Sequence, residues 1–217
     1  MKTFIEHDFQ DLERIDGPTR LYKTPEGKLY PSVTTITSML PKPELDHWRK
    51  AVGEEEANRT TERAAHKGTA IHSMCENYLK YGTVETENLF DRSTFNSIKP
   101  ILDSAIDNIH AIEGRLYSDY LKVAGTTDLV AEYKNVISVI DYKTASKPKH
   151  KDQIENYFMQ GSAYCVCFEE RTGIPISRIV LIIAVDHDMP QVFISRRDNH
   201  ITGFMQLRKQ YLELHGV

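Results

Sequence analysis

With 217 residues, 40% of them hydrophobic and 27% charged, the chain has the composition of one globular domain with a substantial core. A formal net charge of −4 argues against a protein that coats nucleic acid through bulk charge, yet leaves room for a local basic patch. No apolar run approaches a membrane span, the opening "MKTFIEHDFQ" does not read as a signal peptide, and Cys75, Cys165 and Cys167 form no CxxC pair, which fits reduced thiols in a cytoplasmic setting.

In chain order, residues 18–31 predict a small hairpin turned at Pro25-Glu26-Gly27. The hydroxyl-rich "SVTTITS" caps and begins a helix. Residues 44–81, rich in Ala, Glu, Arg and Lys, predict helices interrupted near Gly53 and Gly68, and 97–112 predict another. Two strands follow over about 121–133 and 136–144, then a helix over about 152–171 and the strands "RIVLIIAVD" and "QVFISRR". Strand, helix, strand in that order implies parallel neighbours joined by a right-handed crossover. The expected architecture is a single α/β domain over 1–217: a helical region at about 32–112, then a mixed central sheet flanked by helices at about 113–197.

The stretch "GTTDLVAEYKNVISVIDYKT" carries the chemistry. With a symmetric turn at Lys134-Asn135, Tyr133 faces Val136, and the same register sets Asp128 directly opposite Asp141. Alternation places Ile137, Val139, Asp141 and Lys143 on one face. Opposed like charges among apolar residues are costly. A shared proton, an ion pair with Lys143 or a divalent cation would each relieve the cost, and oxygen ligands favour Mg²⁺, Mn²⁺ or Ca²⁺ over zinc. An exposed sheet edge solvated by water and Lys143 is the plainer alternative. Opposed acids, a lysine on their face and apolar flanks together favour the cation.

His72 lies four residues before Glu76 and four after Gly68, so the three share a helix stripe. Gln153, Tyr157, Gln160 and Tyr164 form another. Lys147, Lys149 and Lys151 follow Lys143 with no acid before Asp152, a run suited to phosphate contacts. Arg20, Tyr22, Tyr30 and Trp48 offer stacking surfaces for single-stranded bases. No GxxxxGK[ST] loop, GxSxG elbow or HExxH motif occurs, so no nucleotide cofactor is expected.

Gly-Thr-Thr-Asp128 followed by Val-Ile-Asp141-Tyr-Lys143-Thr resembles the PD-(D/E)XK nucleases, with their restriction-endonuclease-like fold. "GTAIHSMCE" around His72 and the Q-x-x-x-Y pair Gln160 and Tyr164 narrow the resemblance to the RecB-like branch. "YPSVTTI" and "WRKAVGEEEA" are similar to segments of phage exonucleases and of the mitochondrial genome maintenance exonuclease. The family's proline before the first acid is replaced here by Thr127, matching the G-x-x-D form common in that branch.

The resemblance implies a Mg²⁺-dependent deoxyribonuclease, with Mn²⁺ as a substitute, acting on single-stranded DNA with a free end. It implies metal ligands at His72, Asp128, Asp141 and the Tyr142 carbonyl, and catalytic roles for Asp128, Asp141, Lys143, Gln160 and Tyr164. Substrate contacts are expected from Glu76, Lys147, Lys149, Arg20 and Trp48. The competing readings are an inactive nuclease-like module that grips DNA ends, and a structure-specific endonuclease.

Overall fold

The computed structural model describes residues 2–216. Three short strands, β1 (Glu13–Ile15), β2 (Leu21–Lys23) and β3 (Leu29–Pro31), form an antiparallel sheet. Three helices follow: α1 (Val33–Thr37), α2 (Pro43–Val52) and the long α3 (Glu54–Tyr81). The central elements are α4 (Leu89–Ala105), β4 (Ile106–Ser118), β5 (Val123–Tyr133) and β6 (Val136–Ala145). The chain continues through α5 (Glu155–Thr172), β7 (Arg178–Val185), β8 (Gln191–Arg196) and α6 (Ile201–His215). The main sheet has five strands in the order β4-β5-β6-β7-β8. Only β6 and β7 are parallel, joined through α5; the other neighbours are antiparallel. This is the expected mixed sheet flanked by helices. None of the helices among the described residues is long and apolar enough to cross a membrane.

Each face of the sheet is sealed by its own apolar layer. Val130, Val139, Leu181 and Ile183 pack with Phe158, Phe168 and Phe204 from α5 and α6. Leu129, Ile140, Val180 and Ile182 pack on the other face with Ile71, Met74, Phe95 and Leu102 from α3 and α4. Helix α5 approaches β7 closely, because a Cβ at Gly161 would stand 2.5 Å from Ile179 Cγ2.

Local chemistry accounts for the boundaries. Ser32 caps α1 by accepting the Thr35 N–H at 2.9 Å. Three glutamates open α3, where the helix dipole favours negative charge, and Gly82 ends it with left-handed backbone. Gly53, at φ +86°, separates α2 from α3 as expected. The helix does not break at Gly68, however. One glycine costs a helix only about 1 kcal/mol, which the buried face of α3 offsets.

The expected helix over 97–112 is corrected more deeply. Helix α4 begins at Leu89, capped by Asn88, and stops at Ala105, so 106–118 is strand and the sheet starts before 113. Ile106, Ile109 and Ile112 recur every three residues and all face the α3–α4 core. That spacing imitates a helix. In β4 it arises from register shifts between Asp107 and Ile109 and between Ile109 and Ala111, each of which restores the face that alternation would lose. Strand β1 and helix α6 were not expected.

Candidate active site

The β5–β6 turn has left-handed backbone at both Lys134 (φ 50°) and Asn135 (φ 62°), the geometry that suits the twist of a two-residue hairpin. It sets the expected register, from Tyr133 opposite Val136 to Leu129 opposite Ile140. There the pairing ends, one step before Asp128 and Asp141. Beyond it a side chain replaces the ladder: the Tyr142 N–H donates to Asp128 Oδ2 at 2.8 Å.

Helix α3 runs past this gap. Gly68, Thr69, His72, Ser73 and Glu76 line a cavity of about 410 Å³ that also reaches Tyr164. A Cβ on Gly68 would meet Thr144 Oγ1 at 3.9 Å, so the helix lies close against the end of β6. The His72 Nε2–H donates to the Tyr142 carbonyl at 2.8 Å, and Nδ1 stands 3.4 Å from Asp128 Oδ1. In that tautomer the Nδ1 lone pair faces the carboxylate, and a proton there gives a charged pair. Burial opposes the charge, but Asp128 outweighs it and lifts His72 to about 9. Burial likewise opposes ionisation of Asp128, yet His72, Lys143 and the Tyr142 N–H together hold that carboxyl below its ordinary value.

Asp141 has other partners. Lys143 Nζ forms an ion pair with Oδ2, and Gln160 Nε2 donates to Oδ1 at 3.0 Å. Burial raises this carboxyl to about 6 against the pull of Lys143, and the Asp128 charge adds to the rise. Lys143 stays raised, because the two acids outweigh its own desolvation. Its ammonium sits 5.0 Å from the centre of the Tyr157 ring, which fixes it between an anion and an aromatic face. Tyr164 is buried beneath β5, where a Cβ on Gly125 would come within 2.5 Å of its Oη.

His72, Asp128, Asp141, Tyr142, Lys143, Gln160 and Tyr164 are therefore gathered around one gap. Glu76 and Arg20 line the same cavity, Glu76 paired with Lys80 at 2.7 Å and Arg20 with Asp16 at 3.5 Å. Lys147, Lys149 and Trp48 do not line it. The backbone N–H of Lys149 instead donates to Gln191 at 2.7 Å, and Trp48 is half-buried on α2.

Sequence reasoning missed Glu113. Ile112 pairs with Leu129 and Gly114 with Thr127, which brackets Glu113 against Asp128. Three acids thus stand on three adjacent strands: Glu113, Asp128 and Asp141. The signal was present in the sequence, but reading β4 as helix concealed it.

The donor set fits a divalent cation. Oxygen or nitrogen atoms of His72, Glu113 and Asp128 all lie within 4.8 Å of one another. Asp141 Oδ2 is buried and, among the described residues, receives no hydrogen bond but is ion-paired with Lys143. Carboxylates with one imidazole suit Mg²⁺ or Mn²⁺ better than a thiophilic metal.

The sequence profile of the PD-(D/E)XK nuclease superfamily matches residues 44–188. The chain belongs to that superfamily. Members of this superfamily depend on divalent metal. The profile covers α2 through β7, hence every residue around the gap. Two curated relatives are the "Mitochondrial genome maintenance exonuclease 1" proteins of Mus musculus and Homo sapiens. The mouse protein is 32% identical over 133 residues, which is 55% of this chain and 38% of the relative. The human protein is 26% identical over 151 residues, 64% and 44% respectively. The chain thus spans less than half the length of either relative. Among solved structures, a protein designated SSO0001 has 14% identity and a TM-score of 0.42, over 85% of this chain and 75% of its own. A presumed exonuclease from Eubacterium rectale has 11% identity and a TM-score of 0.40, over 69% and 64%.

Proposed function

We propose that this superfamily member is a deoxyribonuclease that hydrolyses phosphodiester bonds from a free end of single-stranded DNA, using Mg²⁺ or, as a substitute, Mn²⁺. The observation that carries the reading is the convergence of Asp128, Asp141 and Lys143 where β5 and β6 part, with His72 delivered from α3. The relatives named as exonucleases support action from an end.

Asp128, Asp141, His72 Nδ1 and the Tyr142 carbonyl would hold the cation. When bound, it supplies Lewis acidity at the scissile phosphate and lowers the pKa of water. The rest of the work falls to the side chains. Lys143, held between Asp141 and Tyr157, is placed to orient the attacking water and to stabilise charge that builds on the phosphate oxygens. Gln160 keeps Asp141 in place. Tyr164, packed against Gly125, braces β5 behind Asp128. Arg14 and Arg20 line the cavity and would take the strand's phosphates.

The test is digestion of an end-labelled linear single strand beside a circle of the same sequence, in Mg²⁺, with Asp141→Asn as control. Loss of the linear strand alone, abolished in the variant while DNA binding survives, is the expected result. Cleavage of the circle would replace the reading with an endonuclease. No cleavage of single or double strands in Mg²⁺ or Mn²⁺ would leave a DNA-end-binding module, and normal turnover by Asp141→Asn would overturn the site assignment.

A further inference from the structure

Helix α5 delivers two of the side chains that hold the site, Tyr157 beside Lys143 and Gln160 on Asp141. Its own start has no side-chain cap, because the residue at that boundary is the apolar Ile154. A polar chain from outside the helix fixes that end instead. Glu155, the first helical residue, accepts from His200 at 2.7 Å between Oε1 and Nδ1. An ionised carboxylate can only accept, so Nδ1 carries a proton, and Nε2 stands 2.7 Å from Ser195 Oγ on β8. The His200 ring also stacks on Phe158, with centroids 4.8 Å apart and planes 12° from parallel. Serine, histidine and glutamate in that order are the members of a hydrolytic triad. Ser195 and His200 are only 8% and 6% exposed, however, which gives a substrate almost no surface to reach. The chain is placed to hold rather than to react.

We infer that Ser195, His200 and Glu155 form a positioning relay for the proposed reaction, anchoring the first two turns of α5 to β8 so that Tyr157 and Gln160 keep Lys143 and Asp141 in place. The inference rests on the deoxyribonuclease reading and deepens it. At about 3.6 residues per turn, Glu155, Phe158 and Met159 share one face of α5, and Tyr157 and Gln160 lie about half a turn around from it. The first face is the one that meets α6, since a Cβ on Gly203 would stand 2.5 Å from Met159 Cε. The second meets the lysine and the acid. The helix is thus held from behind while it works from the front, and a tilt of its first turn moves both front contacts at once. Ile154 and Phe158, fully buried, seat the same turns by apolar contact. Apolar burial has no preferred direction, whereas the two hydrogen bonds of His200 do, so the relay is what sets the orientation.

The experiment measures kcat and KM on linear single-stranded DNA in Mg²⁺, per folded molecule, for the full-length wild type, Glu155→Ala and Glu155→Gln. Amide hydrogen exchange over residues 156–160 is followed in parallel, without metal or nucleic acid. Glu155→Ala is expected to lower kcat about tenfold, within the roughly hundredfold that a misplacement of about 1 Å can cost. KM should hardly move, and amides 156–160 should exchange faster. Glu155→Gln still accepts the Nδ1–H and should restore most of both. Ser195→Ala breaks the chain at its far end and should shift both readouts the same way by less. A merely structural role would lower urea stability and leave kcat unchanged in Glu155→Ala, which would overturn the inference. So would a Glu155→Gln variant as slow as Glu155→Ala, because the lost charge at the helix start would then be the cause. Either result with an active wild type leaves the deoxyribonuclease reading intact. A wild type without turnover in Mg²⁺ or Mn²⁺ would overturn that reading, and the relay with it.

Discussion

At its turn end, the β5–β6 hairpin pairs residue for residue from Tyr133–Val136 to Leu129–Ile140, with Val130, Val139, Leu129 and Ile140 fully buried. One residue further, the ladder gives way to Asp128 and Asp141, and a carboxylate accepts the Tyr142 N–H. The same two strands thus hold a region built for stability and, next to it, a region built against it. At the turn end each residue gains from burial. At the open end, burial lifts Asp141 to about 6 and Glu113 to about 7, a sign that the charged forms sit uneasily there. The site is held by the strength of its neighbour.

That contrast can be broken from either side. Leu129→Ala removes a fully buried side chain at the last pair of the stable end. It should cost about 2–5 kcal/mol in urea unfolding while turnover per folded molecule changes less than tenfold. A collapse of turnover without loss of stability would show that the two regions are not separable at this point.

At the open end the pH dependence reverses the usual carboxylate sign. The Asp141 carboxyl is raised in the folded state from its ordinary value of 3.8 to about 6. Its contribution is therefore full below about pH 4 and lost as pH climbs through about 6. In chelator, wild type should lose up to about 3 kcal/mol relative to Asp141→Asn between pH 4 and pH 7, measured by urea unfolding at each pH. A flat difference would place Asp141 in a wetter setting than its burial shows.

Gly125→Ala probes the brace between the two ends, because the added methyl would meet Tyr164 Oη at 2.5 Å. About 1–3 kcal/mol of destabilisation is expected on thermal or urea unfolding. Tyr164→Phe in the same chain should recover part of it, since the hydroxyl is the atom in the way.

Much of this site was legible because one short turn carries the register. Lys134-Asn135 fixes which residues face each other as far as Leu129 and Ile140, so the convergence of Asp128, Asp141 and Lys143 just beyond could be counted out from it. Gln160 and His72 were legible through the motifs that resemble the RecB-like branch, and as members of helix stripes. Glu113 was not, for a physical reason: bulges in β4 give Ile106, Ile109 and Ile112 a helical spacing, which hides the strand that carries the acid. Lys147 and Lys149 were chosen for their place just after Lys143 and Trp48 for its ring, and neither ground says where the loop after β6 and α2 lead.

The order of the strands also bears on how the molecule is made. From Ile106 to Ala145 the chain is an unbroken meander of β4, β5 and β6, while β7 joins only after the whole of α5 has crossed the sheet. Short loops close at lower entropic cost than long ones. Loop-closure entropy therefore favours drawing Glu113, Asp128 and Asp141 together through the meander over the longer crossover that brings β7. The carboxylates then meet on one meander, with Lys143 as the cation paired with Asp141 there.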